Sequence, residues 1–160
     1  MVYINLVKTI LDHDGIIAPL YLNNSDSKGT GLCNASVLYT NNKLYAIIRN
    51  VEYTLYCCEG EKKYQSRYEG PLSYYHRDDD LKLRTTNFFC ELNPETLEII
   101  NYKVIDTSQL DTKPVWTFIG LEDARLIYCD GSYYACGVRR DTRTDGQGRM
   151  EFSKLEITDE

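Results

Sequence analysis

Histidine is scarce in this sequence. His13 and His76 are the only two, and no Cys-x-x-Cys pair is followed by a second one. A zinc site would be short of ligands, and no metal or organic cofactor is expected. The six cysteines, Cys33, Cys57, Cys58, Cys90, Cys129 and Cys136, fall mostly inside apolar runs, which reads them as buried thiols rather than disulfides. Long apolar stretches are missing too: nothing approaches the roughly 18 residues that a membrane span needs. The stretch from Met1 to Leu11 carries Lys8, with Asp12 just beyond, where a secretory leader needs an apolar centre and a small-residue end. A cytoplasmic chain without membrane contact is the expectation. Positive charge is in deficit, with 18 Lys and Arg against 24 Asp and Glu for a net charge of −6, which argues against phosphate-backbone binding and so against nucleic acid as a partner.

What is present points to strands. With 42% hydrophobic and 26% charged residues, the 160-residue chain has the make-up of a globular domain. Helical periodicity is weak, and residues 1–11 are the only ambiguous stretch. Ser36–Thr40, Leu44–Ile48, Asn87–Leu92, Leu97–Val104, Arg125–Cys129, Tyr133–Cys136 and Met150–Ile157 are short, rich in aromatic or β-branched residues, and bounded by turn-forming residues. The fold class is all-β.

An internal repeat organises these strands. A displacement of 89 residues lays Asn34-Ala-Ser-Val-Leu-Tyr over Asp123-Ala-Arg-Leu-Ile-Tyr, Asn41-Asn42 over Asp130-Gly131, and Tyr45-Ala46 over Tyr134-Ala135. Asn-Asn and Asp-Gly suit the left-handed backbone of a two-residue hairpin turn. A second strand pair follows each hairpin, and four antiparallel strands per repeat is the pattern of a propeller blade. The chain reads as one partial propeller domain over 1–160. Residues 1–30 form an N-terminal segment with a candidate ring-closing strand, 31–108 a first blade with a long insert at 50–86, and 119–160 an incomplete second blade. Propellers close with about four to eight blades, so the ring is completed either by further blades in a longer protein or by homo-oligomerisation.

The repeat also predicts where chemistry sits. An unbroken hairpin register sets Asn34 opposite Arg49, Asp123 opposite Val138, Glu122 opposite Arg139 and Arg125 opposite Cys136. Asn34, Arg49, Glu122, Asp123, Arg139 and Arg140 then converge on one mouth, where carboxylates and guanidiniums suit a polyhydroxyl ligand or a phosphate. The insert is long for a loop, and its Tyr68 and Tyr75 offer faces for stacking on sugar rings. Simpler roles stay open: Asp123 paired with an arginine, Asn34 and Arg49 as a cross-strand pair, Glu122 and Arg139 as a positioning salt bridge.

Gly120-Leu-Glu-Asp-Ala-Arg-Leu resembles the Gly-x-Glu-Asp-Pro-Arg signature of the family 130 glycoside phosphorylases and hydrolases. Asn34 and Arg49 match that family's sugar-contacting pair. The likeness covers about residues 31–157, is specific at Glu122, Asp123 and Arg125, and is loose over 50–86. Ala124 stands where the family usually has proline. The resemblance implies a five-bladed β-propeller acting on β-mannoside-like oligosaccharides by inversion. Asp123 would be the general acid, working through a sugar hydroxyl, with Arg125 beside it and inorganic phosphate as the co-substrate in phosphorolysis. The rival expectation is a glycan-binding or interaction propeller without turnover, associated with a glycosyltransferase.

Overall fold

The computed structural model describes residues 5–22, 31–51, 53–57, 72–76, 83–110, 118–140 and 147–158. Near the N-terminus, α1 (Leu6–Asp12) starts where the Asn5 side chain accepts the Lys8 amide N–H at 3.0 Å, satisfying one of the first-turn donors that a helix leaves unpaired. None of its residues is buried. Of the N-terminal segment 1–30, expected to offer a ring-closing strand, the described residues are helix followed by irregular chain over 13–22, and 1–4 and 23–30 lie outside the described residues.

β1 (Gly31–Thr40) and β2 (Lys43–Val51) form the first hairpin. Its turn residues Asn41 and Asn42 have φ of 51° and 59°, the left-handed conformation that matches the twist of paired strands. β3 (Tyr53–Cys57) and β4 (Leu72–His76) pair, among the described residues, only with each other. The insert, expected as a loop, thus contains a hairpin of its own, in which Tyr75 pairs with Thr54. Tyr68 lies outside the described residues. β5 (Leu83–Leu92) and β6 (Ile99–Ile105) complete a sheet in the order β1-β2-β5-β6. The bend between them is an Asx turn, the Asn93 carboxamide oxygen accepting from the Glu95 and Thr96 amides at 2.8 and 3.1 Å.

β7 (Phe118–Ile119) pairs in parallel with the start of β5. β8 (Glu122–Cys129), β9 (Ser132–Arg139) and β10 (Arg149–Leu155) form a second antiparallel sheet in the order β10-β9-β8. Its hairpin turns at Asp130 and Gly131, with φ of 48° and 73°. Among the described residues the chain is thus mostly β: an antiparallel path of four strands with β7 added in parallel, an antiparallel sheet of three strands, and the separate β3–β4 pair.

Alternation along the strands supplies two cores, because successive side chains point to opposite faces. Ala46, Ile48, Phe88 and Cys90 face one way and are covered by Leu20 and Leu22. Burial pushes the Cys90 thiol up to about 12, so it is a protonated packing group at neutral pH. Cys33, Cys129 and Cys136 are also free, but Cys129 is exposed and Cys33 and Cys136 are half-buried. The expectation of buried thiols holds at Cys90 and fails at Cys129. On the opposite face Ile47 packs with Leu121, Ala124, Leu126 and Ala135 of the second sheet, and β8 lies against β1 and β2. Fully burying a side chain such as Ile47 is worth roughly 1.5–3 kcal/mol.

Gly120 fixes the approach to the second sheet. Its φ is 101°, and a Cβ there would sit 2.1 Å from the Thr85 carbonyl oxygen of β5. Gly131 also has positive φ but opens onto empty space. Gly120→Ala is expected to lower unfolding free energy by on the order of 3 kcal/mol or more, and Gly131→Ala by about 1 kcal/mol. Urea denaturation of the two variants measures this, and equal losses would contradict the close passage of Gly120 over β5.

Candidate functional site

Both hairpins carry a β-bulge at the same repeat position. In the first, Cys33 pairs with Arg49 and Ser36 with Ile47, so Asn34 and Ala35 stand together opposite Ile48. In the second, Glu122 pairs with Val138 and Arg125 with Cys136, so Asp123 and Ala124 oppose Gly137. Bulges insert one extra residue and re-aim the side chains beside them. Asn34 and Asp123 take the extra turn at φ of 50° and 52°, which short polar side chains tolerate better than other non-glycine residues. The unbroken register expected from sequence is corrected accordingly. Arg49 faces Cys33 rather than Asn34, and Val138 faces Glu122 rather than Asp123, while Arg125 does face Cys136.

The two bulges meet. The Asn34 carboxamide Nδ2 donates to Asp123 Oδ1 at 2.5 Å, and Arg49 Nη1 donates to the same oxygen at 2.8 Å. Arg49 Nη2 stands 3.5 Å from Glu122 Oε1, and Arg140 Nη2 stands 3.8 Å from Glu122 Oε2. The Arg49 guanidinium is held from behind by Thr85, whose hydroxyl oxygen accepts from Nε at 3.3 Å and Nη2 at 3.2 Å. Arg49 is nearly buried, its side chain 10% exposed, whereas the Asp123 side chain is 47% exposed. A fixed cation thus sits beneath a reachable carboxylate. The hydrogen bond from Asn34 pulls the Asp123 pKa below the ordinary carboxylate range, and the Arg49 charge adds to it against the opposing effect of burial. Asp123 is ionised at neutral pH. With Oδ1 taken by two donors, Oδ2 has no hydrogen-bond partner among the described residues.

Of the residues expected at this mouth, Asn34, Arg49, Glu122, Asp123 and Arg140 come together. Arg139 is committed elsewhere: buried to 3% exposure, it donates from Nε to Glu151 Oε2 at 2.7 Å. The expected Glu122–Arg139 bridge is replaced by Glu122 with Arg49 and Arg140. Burial raises the Glu151 pKa, but hydrogen bonds from Arg149 and Arg139 outweigh it and leave the net shift downward. Arg125 is exposed and reaches Asp123 only as a distant favourable charge. Thr85 and Glu151 were not singled out from sequence. Thr85 lies at the boundary of the insert, and Glu151 is one acidic residue among many in a strand with polar and apolar alternation.

A cavity of about 310 Å³ opens beside this cluster, lined by Arg84, Thr85, Asn87, Ile105, Asp106 and Gly120 among others. It shares Thr85 with the Arg49 contacts but is not lined by Asp123. Asn87 is tied to the second sheet by its Nδ2, which donates to the Leu121 carbonyl at 2.8 Å. Among the described residues no group of three His, Cys, Asp or Glu side chains could hold a metal ion, and no helix is long and apolar enough to cross a membrane. No family model, curated protein or solved structure matches the chain.

The depressed Asp123 pKa fixes the sign of a pH effect. Relative to an unfolded value of about 3.9, the folded carboxyl holds its charge to lower pH. Its stabilising contribution is therefore complete above the unfolded value and is lost as pH falls through the folded one. Asn34→Ala is expected to raise the Asp123 titration midpoint, followed by carboxyl-carbon NMR. The acid-side loss of urea resistance should be shallower in Asp123→Asn than in the unmodified chain; an unchanged Asp123 midpoint in Asn34→Ala would contradict the assignment.

Proposed function

We propose that the chain is a carbohydrate-active protein whose Asp123 end binds an oligosaccharide, and that its two sheets are neighbouring blades of a partial five-bladed propeller, completed by further blades or by other copies. The observation that carries this reading is the Asp123 carboxylate itself. One oxygen is clamped by Asn34 and Arg49, while the side chain remains half-exposed above a buried guanidinium. Such an acceptor, ionised and oriented, takes hydrogen bonds from vicinal hydroxyls without having to reorganise. Glu122 and Arg140 beside it supply a second acceptor and a donor. The balance of two carboxylates against Arg49 and Arg140 favours a neutral polyol over a strongly charged ligand. A cytoplasmic location belongs to the same reading.

Turnover is a second reading, and the Gly120-Leu-Glu-Asp-Ala-Arg sequence favours it. An inverting glycoside phosphorylase or hydrolase needs a proton on the glycosidic oxygen and attack by phosphate or water from the opposite face. Asp123 does not hold that proton in the unliganded chain, because Asn34 and Arg49 stabilise its charged form. A sugar that displaces the Asn34 N–H and expels water shifts the balance back toward the protonated acid. Without such a displacement Asp123 is a binding residue, and the protein is a glycan-binding propeller of the kind that accompanies a glycosyltransferase.

Titration calorimetry with manno-oligosaccharides tests the shared part. Binding is expected for the unmodified chain, with affinity reduced by about tenfold or more in Asp123→Asn and Arg49→Lys. Assays for released sugar or sugar phosphate, with and without inorganic phosphate, separate the readings. Binding without turnover leaves the lectin-like one, and absence of binding removes both.

A further inference from the structure

The face of the first sheet that the second sheet covers has a repeat counterpart that is open. The 89-residue displacement carries Leu38, Tyr45 and Ile47 onto Ile127, Tyr134 and Cys136. Strand pairing carries Phe89 onto Phe152, because Ile47 pairs with Phe89 as Cys136 pairs with Phe152. In the first sheet this face is interior. Ile47 is 0% exposed, and the Tyr45–Phe89 stack, at 5.4 Å and 24°, is closed edge-on by Tyr133 of the second sheet at 5.2 and 5.5 Å. The second sheet builds the same stack from Tyr134 and Phe152, at 5.0 Å and 13°. Here no third ring closes it among the described residues, and Met150 and Phe152 are 64% and 60% exposed.

The converse holds at the other end of the chain. The second sheet covers the first with Leu121, Ala124, Leu126, Tyr133 and Ala135. The same displacement finds Leu32, Ala35, Val37, Leu44 and Ala46 in the first sheet. Leu32, Leu44 and Ala46 are already packed with Leu20 and Leu22 in the first core, and the open part of the face lies on β1, where Val37 is 57% exposed and Tyr39, the counterpart of Tyr128, 62%. One end of the chain thus bears a face of the kind that is buried inside it, and the other end a face of the kind that does the burying.

We propose that a second copy of the chain docks head to tail on this surface, setting its β1 face around Val37 and Tyr39 against Ile127, Tyr134 and Phe152 of the first. The contact repeats between chains the packing that β1 and β2 make with β8 within one chain. Polar groups fit the same repeat. Within the chain Asn41 Nδ2 donates to the Tyr128 hydroxyl at 3.0 Å, and the displaced pair is Asp130 with Tyr39 of the second copy, a carboxylate facing a phenol that can donate to it. The two patches differ, so the association is heterologous and continues until the rotation closes a ring, or runs on as a filament if it does not. The inference does not depend on what Asp123 binds.

Complementation between two variants tests it. Light scattering coupled to size exclusion should show the unmodified chain exceeding monomer mass as concentration rises. Val37→Asp and Ile127→Asp each spoil one patch on an exposed position and are expected to remain monomeric. Mixed in equal amounts they should form a dimer and stop there, because one intact patch of each kind survives. Circular dichroism checks that both keep the β fold; Tyr39→Glu and Phe152→Glu replace either one that does not. An unmodified chain that stays monomeric, variants that assemble unhindered, or a mixture that gives no dimer would each overturn the proposal.

Discussion

Asn34 and Asp123 both occupy left-handed backbone, and they touch where the two sheets meet. Each such residue costs on the order of 1–2 kcal/mol in backbone strain. The charge-assisted hydrogen bonds that Asp123 accepts from Asn34 and Arg49 offset that cost, and they do so only if both bulges are present, since removing one turns its side chain to the other face. Sheet docking and carboxylate presentation are therefore one event. Thr85 extends the linkage into the middle of the first sheet by holding Arg49, and Gly120 lets β8 begin close enough to β5 for the guanidinium to lie between them.

The residues that announce turns made much of this fold legible. Asn41-Asn42 and Asp130-Gly131 mark the hairpins, and alternation around Tyr45 and Tyr134 marks the strands, so both repeats, their turns and the end at which Asn34, Arg49, Glu122, Asp123 and Arg140 gather follow from local chemistry. The bulges were not legible. A bulge depends on whether two sheets reward the extra residue, and a short polar residue such as Asn34 tolerates the left-handed backbone without by itself announcing it. The one-residue slip that the bulge introduces moved the predicted cross-strand partners of Asn34, Glu122 and Asp123 and left Arg125 opposite Cys136. The same slip explains the misassigned Arg139: the regular register puts it opposite Glu122, whereas the bulge brings Val138 there, and Arg139 pairs with Glu151 instead. The β3–β4 hairpin was obscured for another reason, since its two five-residue strands are separated in sequence by a long, charge-rich stretch with no two-residue turn to announce the pairing.

The two repeats agree in architecture and differ in chemistry, and the difference restricts function. The position of Arg49 is taken by Val138 in the second repeat, and that of Asn34 by Asp123. Only the junction in which the first sheet contributes the guanidinium and carboxamide, and the second the carboxylate, assembles a polar cluster. A junction made by the outer face of the second sheet would present Val138 where Arg49 stands, with no cation to hold an incoming acid or amide. It can pack but cannot reproduce the site. Each sheet thus leaves apolar side chains exposed, Val37 and Tyr39 on the first and Met150 and Phe152 on the second, while the charged residues are concentrated at a single seam, where the hydrogen bond between the bulges fixes their spacing.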